Sequence, residues 1–326
     1  MKSKIMIAPS LSVVMANYNH AEYIGEALDA ILSQSLRPCE MIVVDDASTD
    51  NSVDVIEHFA RQDRAVHLLL NERNMGVVST ANRGLEYASG EYVYFASADD
   101  KVLPGFFEKS LGLLVEYPQA GLCCSNPAFF KDTADNVITV KRLNTSDGPT
   151  YFSQDESVGL IRTKRLSLWG HTSIIRRDAL LEAGTLKAEL RWHCDWFALY
   201  VIAFRYGVCY IPESLAALRI HPNSYSNSGM ARWLEQKKVL EHILDLLKSP
   251  AFEDVLPSFR HSGVLSAFGF KMLRTILAKR GCSDLLTPVL TRQILRNEIY
   301  GGVARATPKS VKKIYRKLRE KRQRLK

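Results

Sequence analysis

The chain has no Cys-x-x-Cys pair, no glycine-rich phosphate loop and no apolar run long enough to cross a bilayer. Each absence removes a class of protein. The six cysteines (Cys39, Cys123, Cys124, Cys194, Cys209 and Cys282) lack zinc-ribbon or thioredoxin spacing. Scattered through 326 residues, they fit a reducing compartment. After the first apolar segment the sequence reads Ala16-Asn-Tyr-Asn-His20, with neither GxGxxG nor GxxxxGK[ST]. A dinucleotide fingerprint and a P-loop are therefore excluded. The longest apolar run, Trp196 to Phe204, is cut by Arg205, well short of the roughly 18 residues of a membrane span. There is no internal repeat and no low-complexity stretch.

Charge of one sign is also lacking through most of the chain. The net charge is +8, but ten basic residues and one acid, Glu320, fall between Lys309 and Lys326. That tail carries +9, so the remainder sums to −1. The body is not a general polyanion binder. Tyr315 is the tail's single aromatic, short of the series of stacking aromatics that a single-strand nucleic-acid binder would require, so no nucleic-acid partner is expected. Ile314 and Leu318 give the tail a thin apolar stripe. Such a segment suits an anionic lipid surface, at about 1 kcal/mol per basic residue. With the cysteine pattern, this implies a cytoplasmic protein at the inner face of the plasma membrane.

What is present is globular: 46% apolar and 24% charged residues, with length for one large or two modest domains. Lys2, Lys4 and the apolar residues up to Ala16 imitate a secretion signal, but Pro9, Ser10 and Ser12 interrupt them, and Leu11–Met15 reads as a strand. Strands are predicted at Leu11–Met15, Met41–Val44, Val66–Leu70 and Glu91–Ala96, alternating with helices at Glu22–Gln34, Ser52–Arg61 and Val77–Ala88. That alternation predicts a parallel α/β sheet, with ligands beyond the carboxyl ends of its strands. Asn17-Tyr-Asn19, Asp45-Asp46 and Asp99-Asp100 fall there. Further on come a helix after Pro104, an irregular stretch near 125–155, a strand at Thr172–Ile175, a helix from Asp195 to Tyr206 and a strand near Cys209. Past Ala231 the pattern is helical, with Leu234, Val239, Leu240, Ile243, Leu244 and Leu247 on one face.

Without a glycine loop, a phosphate must be neutralised another way, and carboxylates holding a divalent cation can do it. Asp99-Asp100 either serves that purpose or caps the following helix. Asp45-Asp46 with Ser48-Thr-Asp50, taken alone, reads as a cap cluster. Asp195, at the start of the helix that runs to Tyr206, reads on its own as an ordinary N-cap.

The order of these elements resembles family 2 glycosyltransferases of the GT-A fold. The matching residues are Val13-Val-Met-Ala-Asn-Tyr-Asn19, Ile31-Leu-Ser-Gln-Ser35, Ile42-Val-Val-Asp-Asp-Ala-Ser-Thr-Asp-Asn-Ser52, Asn74-Met-Gly76 with Ala81-Asn-Arg-Gly84, and Gly90-Glu-Tyr-Val-Tyr-Phe95 leading into Ser97-Ala-Asp-Asp100. Arg176-Arg-Asp-Ala-Leu180 with Gly184, His193-Cys-Asp-Trp196 and Arg219-Ile-His-Pro222 extend the likeness to about residue 228.

The resemblance implies a Rossmann-like mixed sheet flanked by helices, as a catalytic domain over 1–228, a nucleotide-sugar half (11–100) and an acceptor half (101–228). A helical C-terminal region, 229–326, would follow. It implies an inverting transferase that moves a sugar from a nucleotide-sugar, a UDP-sugar foremost, to a saccharide or lipid-linked acceptor in surface-polysaccharide assembly. Tyr18 would pack on the base, with Ala16 and Asn17 lining the turn. Asp46 would accept a hydrogen bond from the base, and Asn82 would sit where the donor is closed over. Asp99 would ligate the cation (manganese or magnesium) as the last Asp of a DxD motif whose first position is Ser97, a ribose contact. His221 would complete the metal site, and Asp195 would be the base, with Cys194 where the family has Glu. Trp169 and Trp192 have polar neighbours and read as acceptor-groove residues; Trp196 reads as core. Ser97 and Cys194 keep open an impaired nucleotide-sugar-binding protein, and the sheet itself another nucleotide-dependent transferase.

Overall fold

The computed structural model describes residues 9–131, 138–143, 145–220 and 229–306, with backbone alone at 298 and 300–306. His221 and the basic tail, 309–326, lie outside the described residues. The chain divides into two compact units, before and after 258/259.

The first unit opens with β1 (Leu11–Asn17), α1 (Ile24–Leu32), β2 (Glu40–Asp45), α2 (Ser52–Gln62), β3 (Val66–Leu70), α3 (Val77–Tyr87) and β4 (Tyr92–Ser97). These are the predicted strands and helices, with ends shifted by up to two residues. The side chains of β1 from Leu11 to Met15 are all buried, as expected of a strand covered on both faces. Helix α1 turns Ile24, Ala27, Leu28 and Ile31 inward. Helix α3 lies hard against the sheet, because a Cβ on Gly84 would fall 2.5 Å from Val14 Cγ1.

Next come β5 (Lys101–Val102), α4 (Phe106–Glu116), β6 (Leu122–Ser125), β7 (Ala128–Phe130), β8 (Thr139–Val140), β9 (Thr150–Phe152), α5 (Gln154–Arg162), β10 (Ser173–Arg176), α6 (Arg177–Glu182), α7 (Cys194–Tyr206), β11 (Val208–Ile211), β12 (Ala216–Arg219) and α8 (Trp233–Lys248). The main sheet runs β3-β2-β1-β4-β10-β6-β11-β9. Its first four strands are parallel, and β10 pairs antiparallel with both β4 and β6. The sheet is therefore mixed. Tyr94, Phe106 and Phe107 pack edge-on beneath it, with ring centroids 5.2 and 5.7 Å from Tyr94.

The irregular stretch supplies β7 and β8 to a second sheet, β5-β12-β7-β8. It ties the chain just after Asp100 to the strand ending in Arg219. Helix α9 (Leu256–Ser262) spans the boundary between units, and the second unit holds α10 (Gly269–Ala278) and α11 (Pro288–Ala306).

Candidate active site

Three neighbouring strands end at one edge. In register, Ala16 of β1 lies beside Val44 of β2 and Ser97 of β4, and Asn17 lies beside Asp45. The three polar clusters therefore emerge side by side, at the position where open α/β sheets take ligands.

The first cluster is a braced turn. Asn17 Nδ2 donates to Asp45 Oδ2 at 2.7 Å, and Ser48 donates to the same carboxylate through N (2.8 Å) and Oγ (2.6 Å). Asn19 takes a left-handed backbone (φ 56°). Its N–H reaches Ser48 Oγ at 2.9 Å, and its Oδ1 accepts from Thr49 N at 2.8 Å. Asn tolerates that backbone better than most residues. The consequence is that Tyr18 projects outward, 42% exposed, beside half-buried Ala16.

Asp46 faces the next loop. Its Oδ1 accepts from Asn71 Nδ2 (2.6 Å) and Met75 N (2.8 Å), and its Oδ2 from Gly76 N (2.8 Å). Burial alone would raise its pKa, but the donors from Met75, Asn71, Thr80 and Gly76 outweigh burial and hold it below the usual carboxylate value. Asp46 is thus an ionised anchor for the Asn74–Gly76 turn. Asn82 is bonded at both ends of its amide to Leu186, donating to O at 2.7 Å and accepting from N at 3.2 Å. It clasps α3 to the loop before α7.

On β4, Ser97 Oγ donates to Asp99 Oδ1 at 2.5 Å. Asp99 is half-buried and Asp100 buried. The two acids divide by environment. Asp100 turns inward and accepts from Arg219 N at 2.8 Å. Burial, then the Asp99 charge, pushes its pKa up to about 8. Asp99 keeps its carboxylate at the edge while its carbonyl accepts from Arg219 Nε at 2.7 Å. Arg219, which opens the Arg219-Ile-His-Pro222 match but has no role assigned there, has a side chain only 4% exposed. Its guanidinium lies 4.3 Å from the Tyr23 ring and 4.6 Å from that of Phe130.

No group of three His, Cys, Asp or Glu side chains suited to a metal ion occurs among the described residues. The set that is present, one carboxylate with a hydroxyl at its side, fits a magnesium-type site that substrate phosphates complete. It does not fit an all-protein cage.

Asp195 sits in the first turn of α7. Trp196 N donates to its Oδ1 at 2.7 Å. A Cβ on Gly170 would fall 2.5 Å from its Oδ2. Burial raises the Asp195 pKa, partly offset by N–H donors from Trp196 and Gly170. By accessible surface the residue is not sealed off. Burial also raises the neighbouring Cys194 thiol, which makes it a poor nucleophile.

The tryptophans sort differently from their expected places. Trp192 is buried, and its Nε1 donates to Gln236 Oε1 at 2.7 Å. Gln236 Nε2 in turn lies 3.0 Å from His193 Nε2. Gln236 of α8 thus satisfies the indole inside the core, and the neighbouring His193 that suggested a groove pairs with the same amide. Trp196, expected in the core, stays partly exposed, its ring 5.1 Å from Tyr200. Trp169 is half-buried and edge-on to Phe129 at 5.4 Å, with Lys141 Nζ 5.3 Å from its ring.

Solved structures share the fold. The S. aureus TarS fragment 1–349 in complex with UDP-GlcNAc superposes with a TM-score of 0.61 at 16% identity, over 88% of this chain and 79% of that one. Mannosyltransferase PcManGT from Pyrobaculum calidifontis, in complex with GDP-Man and Mn2+, gives 0.58 at 18%, over 94% and 83%. At such identities the likeness speaks for the fold, which is GT-A. The sequence speaks for the family: the model for Glycosyl transferase family 2 matches residues 12–183, and the chain belongs to that family. EpsH of Bacillus subtilis (strain 168), named as a glycosyltransferase, is 27% identical over 253 residues, 76% of this chain and 69% of EpsH.

Proposed function

We propose that this glycosyltransferase is an inverting enzyme that moves a hexose from a nucleotide-sugar, a UDP-sugar foremost, to a saccharide or lipid-linked acceptor in surface-polysaccharide assembly. The observation that carries this reading is the edge itself: Val44, Ala16 and Ser97 in register, with Tyr18 projecting and Asp99 held at the rim. Tyr18 offers a ring face to the base beside Ala16, and Asp46 offers an ionised acceptor. Asn82 shapes the donor side through Leu186, and Ser97 faces the ribose. A divalent cation, manganese or magnesium, would be held by Asp99, with His221 as the second protein ligand, and when bound supplies charge neutralisation on the diphosphate.

Asp195 takes the proton from the acceptor hydroxyl as its oxygen bonds to the anomeric carbon. The bond from that carbon to the diphosphate breaks in the same step. The configuration inverts, and the nucleoside diphosphate leaves with the electron pair. A base of this kind contributes about 10²–10⁴ in rate, and a raised pKa suits it to its task. The membrane-surface partner belongs to this proposal too, through the +9 tail. Residues 1–228 would form the catalytic domain, and 229–326 a helical C-terminal region that ends in the basic tail.

The test is nucleotide release from UDP-, GDP- and dTDP-sugars with and without manganese. Metal-dependent release of one nucleotide supports the reading. Metal-dependent nucleotide binding without turnover would favour the impaired binding protein that Ser97 and Cys194 keep open.

A further inference from the structure

The second unit carries a surface that sugar transfer does not use. Helix α10 buries Met272, Thr275 and Ile276. Its outer positions Phe270, Arg274 and Leu277, spaced four and three apart, are exposed, Leu277 to 67%. Helix α11 repeats the arrangement. Leu290 and Ile294 are buried, while Arg292, Leu295, Arg296 and Ile299 are exposed, Ile299 to 64%. A helix on a globular surface ordinarily faces water with polar residues. These two outer stripes instead hold four large apolar side chains among three arginines.

We propose that the two stripes dock the protein on an anionic membrane surface. Phe270, Leu277, Leu295 and Ile299 enter the headgroup–acyl boundary, and Arg274, Arg292 and Arg296 meet lipid phosphates. This is the composition of an interfacial helix. The charge complementarity selects the occupant. A second copy meeting stripe to stripe would set arginine against arginine. Nucleic acid would not use three exposed aliphatic side chains. The chain past Ala306 adds charge of the same sign, ten bases to one acid. The inference deepens the membrane-surface part of the proposed function and rests on it, but uses different residues. No helix among the described residues is long and apolar enough to cross a membrane, so the attachment is one that lies on the surface.

The test is flotation of the full chain with phosphatidylcholine vesicles and with vesicles containing phosphatidylglycerol. Wild type, the Leu295→Ser/Ile299→Ser and Phe270→Ser/Leu277→Ser pairs, and a tail variant (Arg316→Gln/Lys317→Gln/Arg319→Gln) are compared, with circular dichroism and light scattering on each. Binding that requires phosphatidylglycerol and falls roughly tenfold in each folded stripe variant supports the proposal. Loss in the tail variant with unchanged stripe variants overturns it and leaves the tail reading intact. Absence of wild-type binding overturns both. A dimer that the stripe variants convert to monomer, with no vesicle binding, overturns it in favour of a copy–copy interface. None of these readouts needs a donor sugar, so failure of the transferase reading registers separately.

Discussion

Asp195 Oδ2 occupies the space that a methyl group on Gly170 would need: an ideal Cβ there falls 2.5 Å away. The Gly170 N–H, close by, also offsets part of the rise that burial gives the Asp195 pKa. Gly170 is therefore the gap that the proposed base fits into. Gly170→Ala should push the carboxylate aside and lower kcat by about 10²-fold, the scale of an ångström-sized misplacement. Donor affinity should be unchanged. Titration calorimetry with the nucleotide, set beside kcat, separates the two. Unchanged kcat in a folded variant would remove the close fit from the account.

The same carboxylate sets a pH dependence. Its pKa is raised from 3.8 by burial, and a general base works only when ionised. Activity should fall on acidification with a midpoint above 3.8. Asp195→Asn should leave a low, flat profile, read from kcat/KM between acid and neutral pH.

Asp100 makes the opposite kind of statement, about stability. Its folded pKa is about 8 against 3.8 for the free side chain. The folded state therefore holds a proton that the unfolded state releases, and stability declines as pH rises from about 4 to 8. Asp100→Asn keeps an acceptor for Arg219 N and cannot ionise. Its melting temperature should lose that part of the pH slope. A slope identical to wild type would mean that Asp100 is ionised in the fold.

Arg219 ties β12 to the Asp99-Asp100 turn through its own N and Nε. Arg219→Lys keeps the charge but loses the planar fork and its stacking. It should raise the metal concentration needed for half-maximal activity several-fold, with a smaller effect on saturated kcat. An equal loss of both at all metal concentrations would make Arg219 a purely structural residue.

Trp192 and Gln236 form a buried pair at 2.7 Å. Gln236→Leu leaves the indole N–H without its acceptor and should cost about 1–3 kcal/mol. Trp192→Ala should cost about 3–5 kcal/mol. Denaturant unfolding reads both.

Much of this was legible in the sequence because the first half obeys local rules. Val-rich strands and 3.6-residue periodicity give β1 to β4 and α1 to α3, and the register then brings Ala16, Val44 and Ser97 together. The second sheet was not legible, since β5, β7, β8 and β12 are two to four residues long and gain their meaning only from partners far away in sequence. Helix α5 did carry a readable signal: Ser153 and Glu156 form a capping box. Gln236 could not be found by pattern, and Arg219 entered only as part of a motif without a role, because each acts through partners distant in sequence. Trp192 misled for the same reason, its polar neighbours being satisfied from α8.

The central claim is that Asp99 holds the donor's cation and Asp195 performs the proton transfer. The most direct measurement is metal-dependent release of nucleoside diphosphate across a panel of UDP-, GDP- and dTDP-sugars, for wild type, Asp99→Ala and Asp195→Asn. The account predicts release from one donor by wild type, loss of the metal response in Asp99→Ala, and intact donor binding without turnover in Asp195→Asn. Metal-dependent turnover at the wild-type rate in either variant would contradict it.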